Sequence, residues 1–148
     1  MKLLDIYPGD GKPTEREKQI FNDVLDRVNS AHPVMMELGC YNAFWSLTFR
    51  ERFKHGWNIL NDINGEHLDV GIENFEMNGY RNDKDFIAFF GPALDYTIIL
   101  DNQRVDILHM DMQGAEWEFL HMADLSNVKN IVIATHSDRI HAQCLRLL

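Results

Sequence analysis

Apolar positions along the 148-residue chain fall into two kinds of segment that alternate. Short, nearly continuous apolar runs occur at VMMEL (34–38), WNILNDI (57–63), DFIAFF (85–90), VDILHMD (105–111) and NIVIATH (130–136). Runs of this length without polar alternation are those of strands buried on both faces. Between them, apolar residues recur every three or four positions. Ile20, Phe21, Val24, Leu25 and Val28 follow Thr14 and Glu17, a capping-box pair, and predict a helix that ends near Asn29, before Pro33. Residues 43–53 predict a second helix. Glu66–Asn78, closed by Gly79 as its C-terminal cap, predicts a third, and 115–123 a fourth. A last helix is predicted from Arg139 to the C-terminus, with Asp138 as its cap. The opening PGDGKP (8–13) reads as turns.

This alternation predicts an α/β domain spanning 1–148, with about five strands in a mainly parallel sheet and helices on both faces: a Rossmann-like, doubly wound architecture. Ligands of such sheets bind outside the carboxyl ends of the strands, near the point where strand order reverses. Here those ends carry Glu37-Leu38-Gly39, Asp62, Phe90-Gly91, Asp111 and His136.

Composition narrows the partners. A net charge of -9, with Lys and Arg scattered and only Arg50, Arg52 and Lys54 close together, argues against a nucleic-acid backbone or an anionic membrane. No apolar stretch approaches the ~20 residues of a membrane span, and Met1–Asp5 is too short for a secretory signal. Cys40 and Cys144 form no CxxC pair, so a reduced cytoplasmic setting is expected.

Gly39 lacks the Cβ that would keep a ligand from the backbone after the first strand. A dinucleotide fingerprint would also need glycine at Tyr41 and Phe44, which are bulky, and Glu37 would repel a phosphate. Asp62 ends the second strand, where a carboxylate accepts from both hydroxyls of a ribose. A nucleoside with a cationic tail and no phosphates fits Glu37, Gly39 and Asp62 together; S-adenosylmethionine (SAM) is such a molecule. Each residue also has a structural reading. Glu37 can fix loop amides, Asp62 or Asn64 can cap the next helix, and Asp111 can cap the helix that follows it. Glu116 suits a helix first turn whatever its function. Tyr41, Phe44, Trp45 and Phe49 read as packing, with Tyr41 at the pocket mouth. His109 shares a sheet face with Asp111 and reads as an interior histidine; His55, His67, His121 and His141 have no assignable partner.

ELGCYNAFWS, NGEHLDVGIENFEMNGY, VDILHMDMQGAEWEFLHMA and IVIATHSDRIH together resemble successive motifs of FkbM-like class I methyltransferases, from about residue 18 onward. The resemblance implies that Glu37 and Gly39, with Tyr41 at the mouth, hold the methionine end of SAM. It places Asp62 on the ribose and Phe90 and Gly91 near adenine. Asp111, Gln113, Glu116 and His136 would face the methyl group and acceptor. In this reading His136 is a general base oriented by Asp111, and a hydroxyl of a small molecule or glycan is the acceptor. A divalent metal on Asp111 and His136 is the lesser reading, since two ligands are few. The loop after Gly39, Cys40-Tyr41-Asn42-Ala43, lacks the further glycines usual in class I enzymes, and the family's two further C-terminal strands have no counterpart before Leu148. Two alternatives follow: a shortened SAM-binding or interaction module covered by a partner chain or homodimer, and a nicotinamide-dependent oxidoreductase.

Overall fold

A computed structural model describes residues 13–148; most of the PGDGKP turn lies outside the described residues. Helix α1 (Glu15–Leu25) starts at the expected capping box, with Thr14 Oγ1 accepting from Glu17 N and Glu17 Oε2 accepting from Thr14 N at 2.6 Å. It ends at Leu25, earlier than its apolar pattern, and Val28 packs on the core from outside the helix. Then come β1 (Val34–Leu38), α2 (Phe44–Arg52), β2 (Trp57–Asp62), α3 (Gly65–Met77) and β3 (Phe86–Phe90). A 3₁₀ turn (Ala93–Tyr96) and a short α4 (Ile98–Asn102) follow, and the sequence pattern did not predict either. The chain continues with β4 (Ile107–Met110), α5 (Glu116–Met122), β5 (Ile131–Ile133) and α6 (Asp138–Cys144).

Three expected details change. The cap of α6 is Ser137, whose Oγ accepts from Ile140 N; Asp138 is already inside the helix. Helix α6 stops at Cys144, not at the C-terminus, and β5 spans 131–133 rather than 130–136. Asn64, not Asp62, caps α3 by accepting from Glu66 N, while Gly79 follows the helix at φ +86° as expected.

All five strands are parallel, in the order β3-β2-β1-β4-β5. The chain leaves β1 toward β2 on one side and later returns to place β4 on the other. The loops after β1 and β4 therefore diverge and open a crevice between them. Met36, Leu38, Ile59, Leu108 and Met110 pack one face against Leu100, Phe119, Leu120 and Cys144 of α4, α5 and α6. On the other face, Leu60 and Phe86 meet Leu47, Leu68 and Phe75 of α2 and α3, while Met35 and Ile107 meet Phe21, Val24, Leu25 and Phe49 of α1 and α2. Arg50, from the one basic cluster, is buried beneath α2, donating to the Lys54 and Asp85 carbonyls and lying over the Tyr80 ring. Among the described residues no helix is long and apolar enough to cross a membrane.

Leu108 is fully buried at the centre of the first cluster. Leu108→Ala is expected to lower unfolding free energy by about 2–5 kcal/mol. Urea unfolding should show a lower midpoint at unchanged slope.

Candidate functional site

Backbone strain marks the carboxyl edge of the sheet. The loop after β1 holds Gly39 at φ +74°, Tyr41 at +45° and Ala43 at +56°; the loop after β4 holds Gln113 at +56° and Gly114 at +119°. Non-glycine residues adopt such values at a cost and need surrounding structure to hold them. Gly39 is where the two loops touch: a Cβ there would lie 2.0 Å from the Asp111 carbonyl oxygen. No side chain fits that gap.

Three carboxyl groups supply the holding structure. Asp62 Oδ2 accepts from Tyr41 N at 3.0 Å and Oδ1 from Asn64 N at 2.9 Å, joining the β1 and β2 loops. Glu116 Oε1 accepts from Met112 N at 2.8 Å and Oε2 from Gly114 N at 3.0 Å, closing the β4 loop. Glu37 Oε2 accepts from Ser46 N at 2.9 Å in the first turn of α2. Phe44 N is taken by Asn42 Oδ1, so α2 presents few free amides to an anion.

A cavity of about 910 Å³ opens between these loops. Gly39, Tyr41, Asp62, Asp111 and Gln113, all expected at the site, line it. Glu37 does not. Strand alternation turns its side chain with Met35 toward α1 and α2, where it is 1% exposed. Glu116 is likewise buried behind the wall. Phe90 is 64% exposed and Gly91 buried, neither on the wall; the next residues, Pro92, Ala93 and Leu94, are. His136 lies outside the wall, with Nε2 2.6 Å from Asp111 Oδ1. Of that pair only Asp111 faces the cavity, and it does not cap α5, whose N-cap Ala115 has no side-chain bond. Asp111, Glu116 and His136 place ligand atoms within 4.8 Å of one another, but both Glu116 oxygens are already bonded to loop amides.

His67 has a place here that its sequence position did not reveal. It lines the cavity from α3, packs edge-on against Tyr41 at 4.9 Å, and sets Nδ1 3.9 Å from Asp62 Oδ1. Its position in the first turns after Asp62 was the only available signal.

Beneath the crevice, Glu37 and His109 are register partners on β1 and β4. Glu37 Oε1 lies 3.8 Å from His109 Nδ1, which has no hydrogen-bond partner among the described residues. Burial pushes the Glu37 carboxyl up from 4.5 to about 8; Ser46 offsets part of this, and Asp111 and Asp62 add repulsion. Burial also lowers the His109 imidazole to about 3. At neutral pH the pair is a carboxylic acid facing a neutral imidazole rather than an ion pair.

The two shifts have opposite consequences. Glu37 binds its proton more tightly folded than unfolded, so its contribution to stability is lost as pH rises from about 4.5 toward 8. His109 is protonated more readily unfolded, so stability is lost as pH falls from about 6.5 toward 3. Between about 4.5 and 6.5 the two slopes oppose each other, and above that only the Glu37 slope remains. Wild-type stability should therefore fall from pH 6.5 to 8 by up to about 1.4 kcal/mol per unit. Glu37→Gln should remove this decline, as read by denaturant midpoints at each pH.

Solved structures that share this architecture include three methyltransferases. The O-methyltransferase from Bacillus cereus in complex with SAH superposes with a TM-score of 0.69 at 14% identity, covering 95% of this chain and 70% of that one. The precorrin-6y C5,15-methyltransferase from Geobacter metallireducens GS-15 gives 0.70 at 15%, covering 90% and 68%. The ribosomal protein L11 methylase from Lactobacillus delbrueckii subsp. bulgaricus gives 0.65 at 12%, covering 91% and 68%. At these identities the likeness is one of fold: this chain has the Rossmann-like fold of class I SAM-dependent methyltransferases. Their names point to three different acceptors. No family model and no curated sequence matches the chain.

Proposed function

We propose that the chain is a SAM-dependent methyltransferase of the FkbM-like kind that methylates a hydroxyl on a small molecule or glycan. The observation that carries this reading is the construction of the β1 loop. Glu37 and Asn42 occupy the amides at the start of α2 that a dinucleotide's pyrophosphate would need. No Lys or Arg lines the cavity among the described residues. A nicotinamide dinucleotide is disfavoured on both counts, while a nucleoside with a cationic tail meets carboxylates and a bare glycine.

The residues present fit SAM. A volume of about 910 Å³ is in the range of small-molecule pockets and leaves room for an acceptor. Asp62 and His67 lie where the ribose would be held, and Pro92, Ala93 and Leu94 offer an apolar slot for adenine. Gly39 and Tyr41 receive the methionine end, supported from behind by Glu37 through its bond to α2. When bound, SAM supplies an electrophilic methyl group on a sulfonium.

Positioning dominates such a displacement, and an alcohol acceptor adds the need to lose a proton. Asp111 is the wall carboxylate that His136 backs, and it takes that proton. His136 Nε2, 2.6 Å from it on a partly exposed side chain, fixes the carboxylate and offers a route by which the proton leaves. This reverses the order expected from sequence, in which His136 met the acceptor. Gln113 Nε2 lies 3.3 Å from the same Asp111 oxygen and flanks the acceptor, while Glu116 keeps the loop in place.

Calorimetric titration with SAH should show binding that weakens at least ~10-fold, about 1.4 kcal/mol, in Asp62→Ala. A folded wild-type chain that does not bind SAH would contradict the cofactor assignment. Asp111→Asn should keep SAH binding and lower methyl transfer by about 10²–10⁴-fold. Wild-type SAH binding with no transfer to any hydroxyl acceptor would instead favour a binding module.

A further inference from the structure

The charge on the cavity wall bears on what kind of acceptor fits, an inference that rests on the SAM reading above. The acidic side chains lining it are Asp62, Asp111 and Glu118; His67 sets Nδ1 3.9 Å from Asp62 Oδ1. No Lys or Arg lines it among the described residues, and Arg50, Arg52 and Arg104 are engaged elsewhere, beneath α2, with Asp26 and with Asp106. The rest of the wall is largely apolar, with Ile63, Leu94, Met112 and Phe119.

The three acids are not equivalent. Asp62 is satisfied by two backbone amides and Asp111 by His136. The exposed Glu118 side chain makes no hydrogen bond or ion pair among the described residues. A first-turn position in α5 accounts for an acid there but not for its facing the cavity. SAM carries one net positive charge, whereas the wall offers three carboxyl side chains and no Lys or Arg. An acceptor bearing a phosphate or carboxylate would bring like charge to a wall with no Lys or Arg to meet it.

We propose that the acceptor is a cationic hydroxyl compound, an amine-bearing alcohol or phenol, with Glu118 as the counter-ion of its ammonium group. The apolar wall takes its carbon skeleton, Asp111 its reacting hydroxyl, and Glu118 selects for charge. Glu118 is a specificity residue in this account and takes no part in the transfer.

The test uses the full chain saturated with SAH and three aromatic diols differing in charge: dopamine, 4-methylcatechol and 3,4-dihydroxybenzoate. Affinities are read by ligand-observed NMR titration. Dopamine is expected to bind at least ~10-fold more tightly than dihydroxybenzoate, with 4-methylcatechol between them. Glu118→Gln should shrink that ratio severalfold and Glu118→Lys should invert it, with SAH affinity and thermal unfolding unchanged. Equal binding of the three, preference for the anion, no binding of dopamine, or a ratio indifferent to Glu118 would each overturn the proposal. Failure of SAH itself to bind would instead overturn the cofactor reading.

Discussion

The approach of Gly39 to the Asp111 carbonyl is the constraint on which the carboxyl edge depends. Strands β1 and β4 are neighbours in the sheet, yet their loops turn to opposite faces. They clear each other only because Gly39 has no side chain, since a Cβ would stand 2.0 Å from that oxygen. With the loops crossed this closely, the next residues must leave in left-handed conformations, as Tyr41, Ala43 and Gln113 do. Such backbone is costly for non-glycine residues and persists where partners hold it. Asp62 holds Tyr41 and Glu116 holds Met112 and Gly114. The cavity is the space these fixed loops cannot close.

Glu37 and His109 extend the same logic inward. Two titratable groups side by side in a core would be unfavourable as ions, and burial resolves this by leaving both neutral. Glu37 thus supports the site from behind by fastening β1 to the start of α2. His109 packs edge-on against Phe21 and at a tilt against Trp45 as part of the aromatic packing on that face.

Much of the fold was legible because its signals are local. Continuous apolar runs gave parallel strands, and the Thr14–Glu17 pair set the start of α1. The residues from Ala93 to Asn102 were not legible: their helical turns are too short for periodicity to show, and their first turn is 3₁₀. Helix ends were misjudged where apolar residues continue packing after helical bonding stops, as Val28 does. At the site, sequence identified which strand ends carry carboxyl groups but not where the groups point. Glu37 lies at an even step from Met35, a parity that places it under α2, whereas Asp62, the last residue of β2, and Asp111, the first past β4, reach the cavity. Phe90 and Gly91, expected near adenine, stop just short of the cavity wall, which the chain joins at Pro92. His67 was missed because its relation to Asp62 and Tyr41 exists only once α3 is packed.

Hydrogen–deuterium exchange with and without SAH tests the central claim, that the crevice between β1 and β4 is a SAM site. The account predicts that saturating SAH slows exchange in four segments, 39–43, 62–67, 91–94 and 111–115, and leaves α1 unchanged. Unchanged exchange in those loops, or protection confined to another part of the chain, would contradict it.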